Sequence, residues 1–148
     1  MCLYTKNLKF KTAKEDIVCY KVLWEDPHSS AVFTPYREEL VEFNKILYPK
    51  EKIKTHYFLN GFLLKNIKCL KNIYRKQGLV TPIVAYDEFC IGAGVIHVYA
   101  TYDIAMKICR SGLFVCKAII PKGAKYIESP YNYEIGTTCV RYEKIQSW

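Results

Sequence analysis

Three short apolar runs, rich in β-branched and aromatic residues, constrain the fold of this chain most strongly. They cover residues 16–24, 95–100 and 113–120. Runs of this length, bounded by charged residues, glycine or proline, predict strands. The longest uncharged stretch, 89–102, has 14 residues. A membrane helix needs about 20 apolar residues, so this stretch is predicted to form core and no membrane span is expected.

Two segments between these runs show helical spacing. In the first, Tyr36, Leu40, Phe43 and Leu47 recur at a period near 3.6, although alternation along 36–40 leaves a strand open. The second, 61–77, places leucine and isoleucine on one face and lysine, asparagine and arginine on the other. Gly78 is a suitable stop for this second helix, because a residue just past a helix end often needs a positive φ.

A third, short helix is predicted between Thr101 and Gly112. The threonine can cap its N-terminus, and Asp103 in the first turn is favourable near the positive end of the helix dipole. Together these elements predict one α+β domain over 1–148, with a mostly antiparallel sheet and two or three helices. Residues 1–15 are polar and basic, which is typical of a loosely packed arm.

The overall composition is that of a globular protein. Hydrophobic residues make up 51% of the chain and charged residues 24%. This excludes disordered and collagen-like proteins. The seven cysteines form no Cys-x-x-Cys pair, and no apolar leader follows Met1. We therefore expect reduced thiols and a cytoplasmic protein, in the host cytoplasm if a phage encodes it.

The formal net charge of +8 is concentrated in one segment, 44–77. This segment holds nine basic residues and one acidic residue, whereas the rest of the chain holds thirteen of each. Clustered cations attract anionic partners. The segment therefore predicts a surface for an acidic protein, a nucleic acid or a nucleotide, and a solvated helix face is the alternative. The candidate binding residues are Lys54, Lys65, Lys68, Lys71, Arg75 and Lys76.

Candidate catalytic chemistry is limited to one polar row. Strand alternation over 94–101 places His97, Tyr99 and Thr101 on one face, which is suitable for a pocket but also typical of a half-exposed strand. Cys90, His97, Cys109 and Cys116 are spaced more widely than the ligands of structural zinc sites, so no metal is predicted.

Parts of the sequence resemble an uncharacterised family of small proteins from gut Bacteroidetes and their phages. The likeness is carried by 16–23, by 94–101 with the helix that follows, and by 118–126 (Ala-Ile-Ile-Pro-Lys-Gly-Ala-Lys-Tyr). It covers the first predicted strand and the last third of the chain. The resemblance implies a phage or mobile-element context and no assigned activity.

A second likeness concerns the order of elements. A strand–helix unit, a strand ending in Ile-Pro-Lys-Gly and a late glutamate resemble the second half of ADP-ribosyltransferase domains. This likeness implies that Tyr99 or Thr101 occupies the position of the family's central motif and that Glu134 lies near the position of its catalytic glutamate. The sequence departs from the family at Tyr20-Lys21, where the family has arginine or histidine. It also has Asn132 where the family has an acidic residue or glutamine.

The sequence therefore supports three functional hypotheses. The first is a non-enzymatic phage or mobile-element accessory protein that binds an acidic partner and needs no cofactor, with counter-defence as a suitable role. The second is an NAD-dependent enzyme similar to ADP-ribosyltransferases, or a degenerate relative, with His97, Tyr99, Thr101 and Glu134 around its pocket. The third is a minor virion component. The oligomeric state is left open.

Overall fold

The computed structural model describes residues 3–5, 8–35, 38–59, 62–64, 88–130 and 133–144. These residues contain thirteen strands and one short helix, α1 (Tyr102–Ile108). The strands are β1 (Leu3–Thr5), β2 (Lys11–Thr12), β3 (Ile17–Glu25), β4 (Val32–Phe33), β5 (Ile46–Leu47), β6 (Lys54–Leu59), β7 (Phe62–Leu64), β8 (Glu88–Ala93), β9 (Ile96–Tyr99), β10 (Leu113–Ile120), β11 (Lys125–Glu128), β12 (Glu134–Thr137) and β13 (Val140–Tyr142).

The strands form two sheets. The larger has nine strands in the order β2-β11-β12-β9-β3-β10-β13-β5, with β4 paired to β3. The smaller has four strands in the order β1-β8-β6-β7. All pairings between these named strands are antiparallel.

The longest pairing joins β3 and β10. Their register runs from Ile17 opposite Ile120 to Trp24 opposite Leu113. Both strands consist largely of β-branched, aromatic and other apolar residues, which pack well on a pleated surface. The strand predictions for 16–24 and 113–120 are confirmed here, with β3 beginning and ending one residue later than expected.

The core lies on both faces of the nine-stranded sheet. One face carries the largest cluster, which includes Cys19, Leu23, Val98, Ile135 and Tyr142. On the other face, Val22, Tyr99 and Ala105 form a second cluster beneath α1. A third cluster joins the two sheets through Leu3, Ile91, Val95 and Ile127.

The predicted α+β class with two or three helices is wrong. The described residues form a mostly-β fold, and α1 is their only helix. The helix expected over 36–47 does not form in the described part of that range, because Glu38 and Asn44 adopt φ values of 52° and 57°, outside the helical region. There the chain forms isolated bridges and the short strand β5.

The second predicted helix, 61–77, lies almost wholly outside the described residues. Its described part, Phe62–Leu64, is strand β7, so the predicted start is wrong. The third predicted helix is confirmed as α1, and Thr101 is its N-cap. Within the ranges given above, no helix has the length and apolar character needed to cross a membrane.

Candidate functional site

The polar row of β9 is partly confirmed. His97 and Tyr99 are two residues apart on one strand and so project to the same side, while Val98 projects into the largest core cluster. Tyr99 is buried and His97 is half-buried, with its Nδ1 atom inaccessible to solvent. Thr101 lies beyond the strand end and does not continue the row. Its Oγ1 accepts a hydrogen bond from the backbone N–H of Ile104 at 3.3 Å.

The sheet register brings Glu134 to this row. β12 pairs with β9 so that Glu134 lies opposite Tyr99, and β3 places Tyr20 opposite Tyr99 on its other side. Directly opposed residues in antiparallel strands project to the same face, with Cβ atoms roughly 5 Å apart. Tyr20, Tyr99 and Glu134 therefore form a line across three strands on the α1 side of the sheet. The ring of Tyr20 also contacts that of Tyr102 edge-on, with centroids 5.8 Å apart.

Glu134 occupies an unusual environment for a carboxyl group. Only 8% of the residue is exposed, and burial raises its pKa above the ordinary value for glutamate. The positive charge of Lys21 acts in the opposite direction and favours the ionised form. Glu134 consequently holds its proton to a higher pH than an exposed glutamate does.

Next to this line of side chains, β3 and β9 separate. They pair only at Tyr20 and Tyr99, although β3 continues along β10 as far as Trp24. Just beyond the pair, Lys21 Nζ donates a hydrogen bond to the backbone carbonyl of His97 at 2.6 Å. The ammonium group thus bridges the two strands where their backbone pairing has ended. We call this gap the β3–β9 opening.

Two cavities share Lys21 and Pro35 in their lining, one beside the largest core cluster and the other on the α1 side of the sheet. The first cavity has a volume of about 150 Å³. Its walls are mainly apolar. Besides Lys21, the polar residues that line it are Thr34, Glu39, Tyr48, Lys50, His97 and Tyr142. The second cavity, of about 120 Å³, is lined by Lys21, Val22, Pro35, Tyr99, Ile108, Arg110 and Leu113.

Tyr142 belongs both to the core and to the first cavity. It is 2% exposed. Burial is the main cause that raises the pKa of its phenol well above the ordinary value, and the buried thiols of Cys19 and Cys116 act in the same direction. The phenol therefore stays neutral at physiological pH and remains available as a hydrogen-bond donor.

The basic segment is described only in its first part. Lys54 is exposed and begins β6. Lys65, Lys68, Lys71, Arg75 and Lys76 lie outside the described residues, so the prediction for them stays a prediction. Within this segment, the backbone of Lys52 and Ile53 lies directly against Gly94, between β8 and β9.

Three cysteine thiols are buried in the described residues. Cys19, Cys116 and Cys139 are buried and Cys109 is half-buried. Burial raises the pKa of Cys19 and of Cys116 to about 12, so both are protonated at neutral pH. Within the described ranges, no three histidine, cysteine or acidic side chains lie close enough together to hold a metal ion.

Sequence reasoning missed Lys21, Glu39, Arg110 and Tyr142 as cavity residues. Lys21 gives the clearest signal, because it is the only charged residue between Asp16 and Glu25 in an otherwise largely apolar run. A lysine there must place its ammonium beside an acceptor or in water. The other three are brought to the cavities by sheet register and loop path, which spacing along the chain does not reveal.

In comparisons with known proteins, no family model, curated protein or solved structure gives a significant match to this chain.

Proposed function

We propose that this chain is a non-enzymatic binding protein for a nucleotide-class ligand, held at the two cavities that Lys21 lines. The observation that carries the proposal is the shared lining by Lys21. Two mainly apolar cavities both include Lys21 in their lining, and the second also includes Arg110. A nucleotide has two parts, a flat heterocycle and an anionic phosphate, joined by a sugar.

The first cavity suits the heterocycle. A volume of about 150 Å³ matches that of an apolar protein cavity known to admit benzene. Val41, Leu47 and Ile96 supply apolar wall, and Glu39 supplies a carboxylate at the same cavity. Because a carboxylate accepts hydrogen bonds, it favours a base that carries an exocyclic amino group.

The second cavity suits the phosphate. Lys21 and Arg110 contribute two positive charges, and guanidinium groups match the geometry of phosphate oxygens. An ammonium group has three N–H donors.

The biological setting that we propose comes from the sequence. The likeness to phage proteins supports an accessory role for a phage or mobile element in the cytoplasm of its host, with counter-defence by sequestering a nucleotide as one form of that role. The basic segment 44–77 supports an additional acidic partner.

Isothermal titration calorimetry at low salt tests the proposal with AMP, IMP, adenosine and inorganic phosphate. We expect AMP to bind more tightly than adenosine, because adenosine lacks the phosphate, and more tightly than IMP, because IMP lacks the amino group. Arg110→Gln removes an exposed cation and should weaken AMP binding about fivefold, or about 1 kcal/mol.

The matched control is Arg141→Gln, which makes the same chemical change at a residue that lines neither cavity. It should leave AMP binding unchanged. The proposal is refuted if none of the four compounds binds, or if the two arginine variants weaken AMP binding equally.

A second candidate, an NAD-dependent enzyme similar to ADP-ribosyltransferases, is favoured by one observation. Glu134 lies opposite Tyr99, and both are buried beside the opening that Lys21 bridges. In such an enzyme an ionised carboxylate would stabilise the positive charge that develops on the ribose as nicotinamide leaves. Lys21 and Arg110 are the residues of this chain that would hold the diphosphate of NAD.

Release of nicotinamide from NAD, measured by chromatography, separates the two candidates. If the chain is such an enzyme, it should release nicotinamide from NAD, and Glu134→Gln should abolish this release. Glu25→Gln changes an exposed glutamate of β3 and should leave the release intact. Because the pKa of Glu134 is raised and the ionised form would be the active one, activity should increase with pH through a range above the ordinary glutamate pKa. NAD that binds without any release of nicotinamide supports the non-enzymatic proposal.

A further inference from the structure

The stretch from residue 40 to residue 54 exposes an unusual amount of apolar surface. Leu40, Ile46, Tyr48 and Ile53 are exposed by 57%, 40%, 69% and 45%. Leu40 and Tyr48 line the same cavity, although seven residues separate them in the sequence. Clustered exposed apolar side chains with a polar surround are typical of interaction sites. We call residues 40–54 the 40–54 surface.

This surface includes the last strand of a sheet. β5 pairs with β13 through Ile46 opposite Arg141 and Leu47 opposite Val140, and the strand order of the larger sheet ends at β5 in the described part of the chain. A terminal strand presents backbone N–H and C=O groups that an extended segment from another chain can pair with.

The charges of the 40–54 surface are complementary to an acidic partner. Lys45 forms an ion pair with Glu42 at 2.7 Å, which leaves their joint charge neutral. Lys50, Lys52 and Lys54 are all exposed, and the one acidic residue among them is Glu51. Exposed cations at the rim of an interface accelerate association with acidic partners and disfavour basic ones.

We propose that the 40–54 surface binds an extended, acidic segment of a partner protein, which adds as a strand beside β5. Apolar side chains of the segment would contact Ile46 and Tyr48, and its carboxylates would lie near Lys50, Lys52 and Lys54. Every second residue of a strand points to the same side, so a segment that alternates acidic and apolar residues fits this surface best. This proposal does not depend on nucleotide binding.

Fluorescence anisotropy tests the proposal with a labelled peptide in which glutamate and valine alternate. Three further probes have the same length: an alternating lysine–valine peptide, the glutamate–valine peptide with N-methylated backbone amides at alternate positions, and oligothymidylate. We expect the unmodified acidic peptide to bind most tightly. Added salt should weaken its binding, because the rim contacts are electrostatic.

Two double variants provide a matched pair. Lys52→Glu with Lys54→Glu reverses two charges on the 40–54 surface and should weaken binding of the acidic peptide about tenfold, which corresponds to two exposed ion pairs of about 0.7 kcal/mol each. Lys14→Glu with Lys122→Glu reverses two exposed lysines elsewhere and should change the affinity by less than about twofold.

Several outcomes would overturn the proposal. Equal binding of the acidic and basic peptides would remove the electrostatic argument, and equal binding of the N-methylated peptide would exclude strand addition. Tighter binding of oligothymidylate that displaces the acidic peptide would show that the surface binds nucleic acid instead. Equal losses in the two double variants would show a response to overall charge alone. Lys52 and Lys54, the residues changed in this test, line neither cavity, so failure here leaves the nucleotide proposal intact.

Discussion

Replacing Gly94 with alanine should destabilise this protein far more than the same replacement at Gly112. Both glycines have a positive φ, 85° and 83°, where an alanine is disfavoured by roughly 1–2 kcal/mol. Their surroundings differ. A Cβ atom at Gly112 would meet nothing within 4 Å, whereas at Gly94 it would overlap the backbone N and Cα atoms of Ile53 and lie 2.5 Å from the carbonyl carbon of Lys52.

The overlap at Gly94 involves backbone, so no side-chain rotation relieves it. The segment through Lys52 and Ile53 must move away, and such overpacking adds typically about 1–3 kcal/mol. We therefore expect a loss of about 1 kcal/mol for Gly112→Ala and of about 3 kcal/mol for Gly94→Ala. With an m-value near 2 kcal/mol per molar urea, the two midpoints should differ by about 1 M.

Urea unfolding followed by circular dichroism measures both variants against the unmodified chain. Gly123→Ala is a second control, because it combines a φ of 90° with open space. Equal midpoints for all three variants would refute the close approach between Gly94 and residues 52–53, since the effect of the backbone dihedral would then account for every loss.

Three further predictions follow from the opening and the core. Lys21→Met removes the hydrogen bond to the carbonyl of His97 and should cost about 1–2 kcal/mol of unfolding free energy while also weakening AMP binding; unchanged stability and affinity would show that the bridge has no role. Burial raises the pKa of Glu134 in the folded protein above its value in the unfolded chain. Folding is therefore most stable below the unfolded-state pKa, and this stability is lost as the pH rises through the folded-state pKa. The Glu134→Gln variant should therefore be more stable than the unmodified chain at pH 7, and the difference should shrink towards pH 4. Thermal unfolding at several pH values measures this difference, and a difference that grows towards pH 4 would contradict the prediction. Cys19 and Cys116, whose pKa values burial raises to about 12, should resist iodoacetamide at pH 8 in the folded protein and react after unfolding, as peptide mapping can establish.

The elements that could be predicted from the sequence are those whose local signals agree with their tertiary environment. β3 and β10 are β-branched, apolar and central in their sheet, so propensity and burial favour the same structure. α1 has a capping threonine that makes the expected hydrogen bond to Ile104. In each case a few neighbouring residues contain the information that decides the structure.

The segment 36–47 shows why the remainder could not be predicted. Its helical spacing of apolar residues is real, but Val41 donates a backbone hydrogen bond to Val32, and Asn44 donates one to Tyr142. These partners are distant in sequence. Because Glu38 and Asn44 also adopt left-handed φ values, the apolar residues follow an irregular path across the sheet instead of one helical face.

The candidate site likewise has one part that could be predicted from the sequence and one part that could not. Alternation within β9 is local, so the common face of His97 and Tyr99 could be predicted. The position of Glu134 opposite Tyr99 depends on the register between β9 and β12, which are separated by α1 and two strands. Register is set by which residues must be buried on each face, and that is a property of the whole sheet.

Lys21 connects these observations to function. Where two central strands separate, their facing backbone groups lose their usual partners, and buried groups of this kind need a replacement. A neutral side chain could satisfy the carbonyl of His97 equally well. A lysine at this position also places a positive charge between two cavities, one of which contains a second cation at Arg110. A charge costs more to desolvate than a neutral donor does, and the buried carboxyl of Glu134, whose ionised form Lys21 favours, offsets part of that cost. The anionic ligand that we propose would offset a further part.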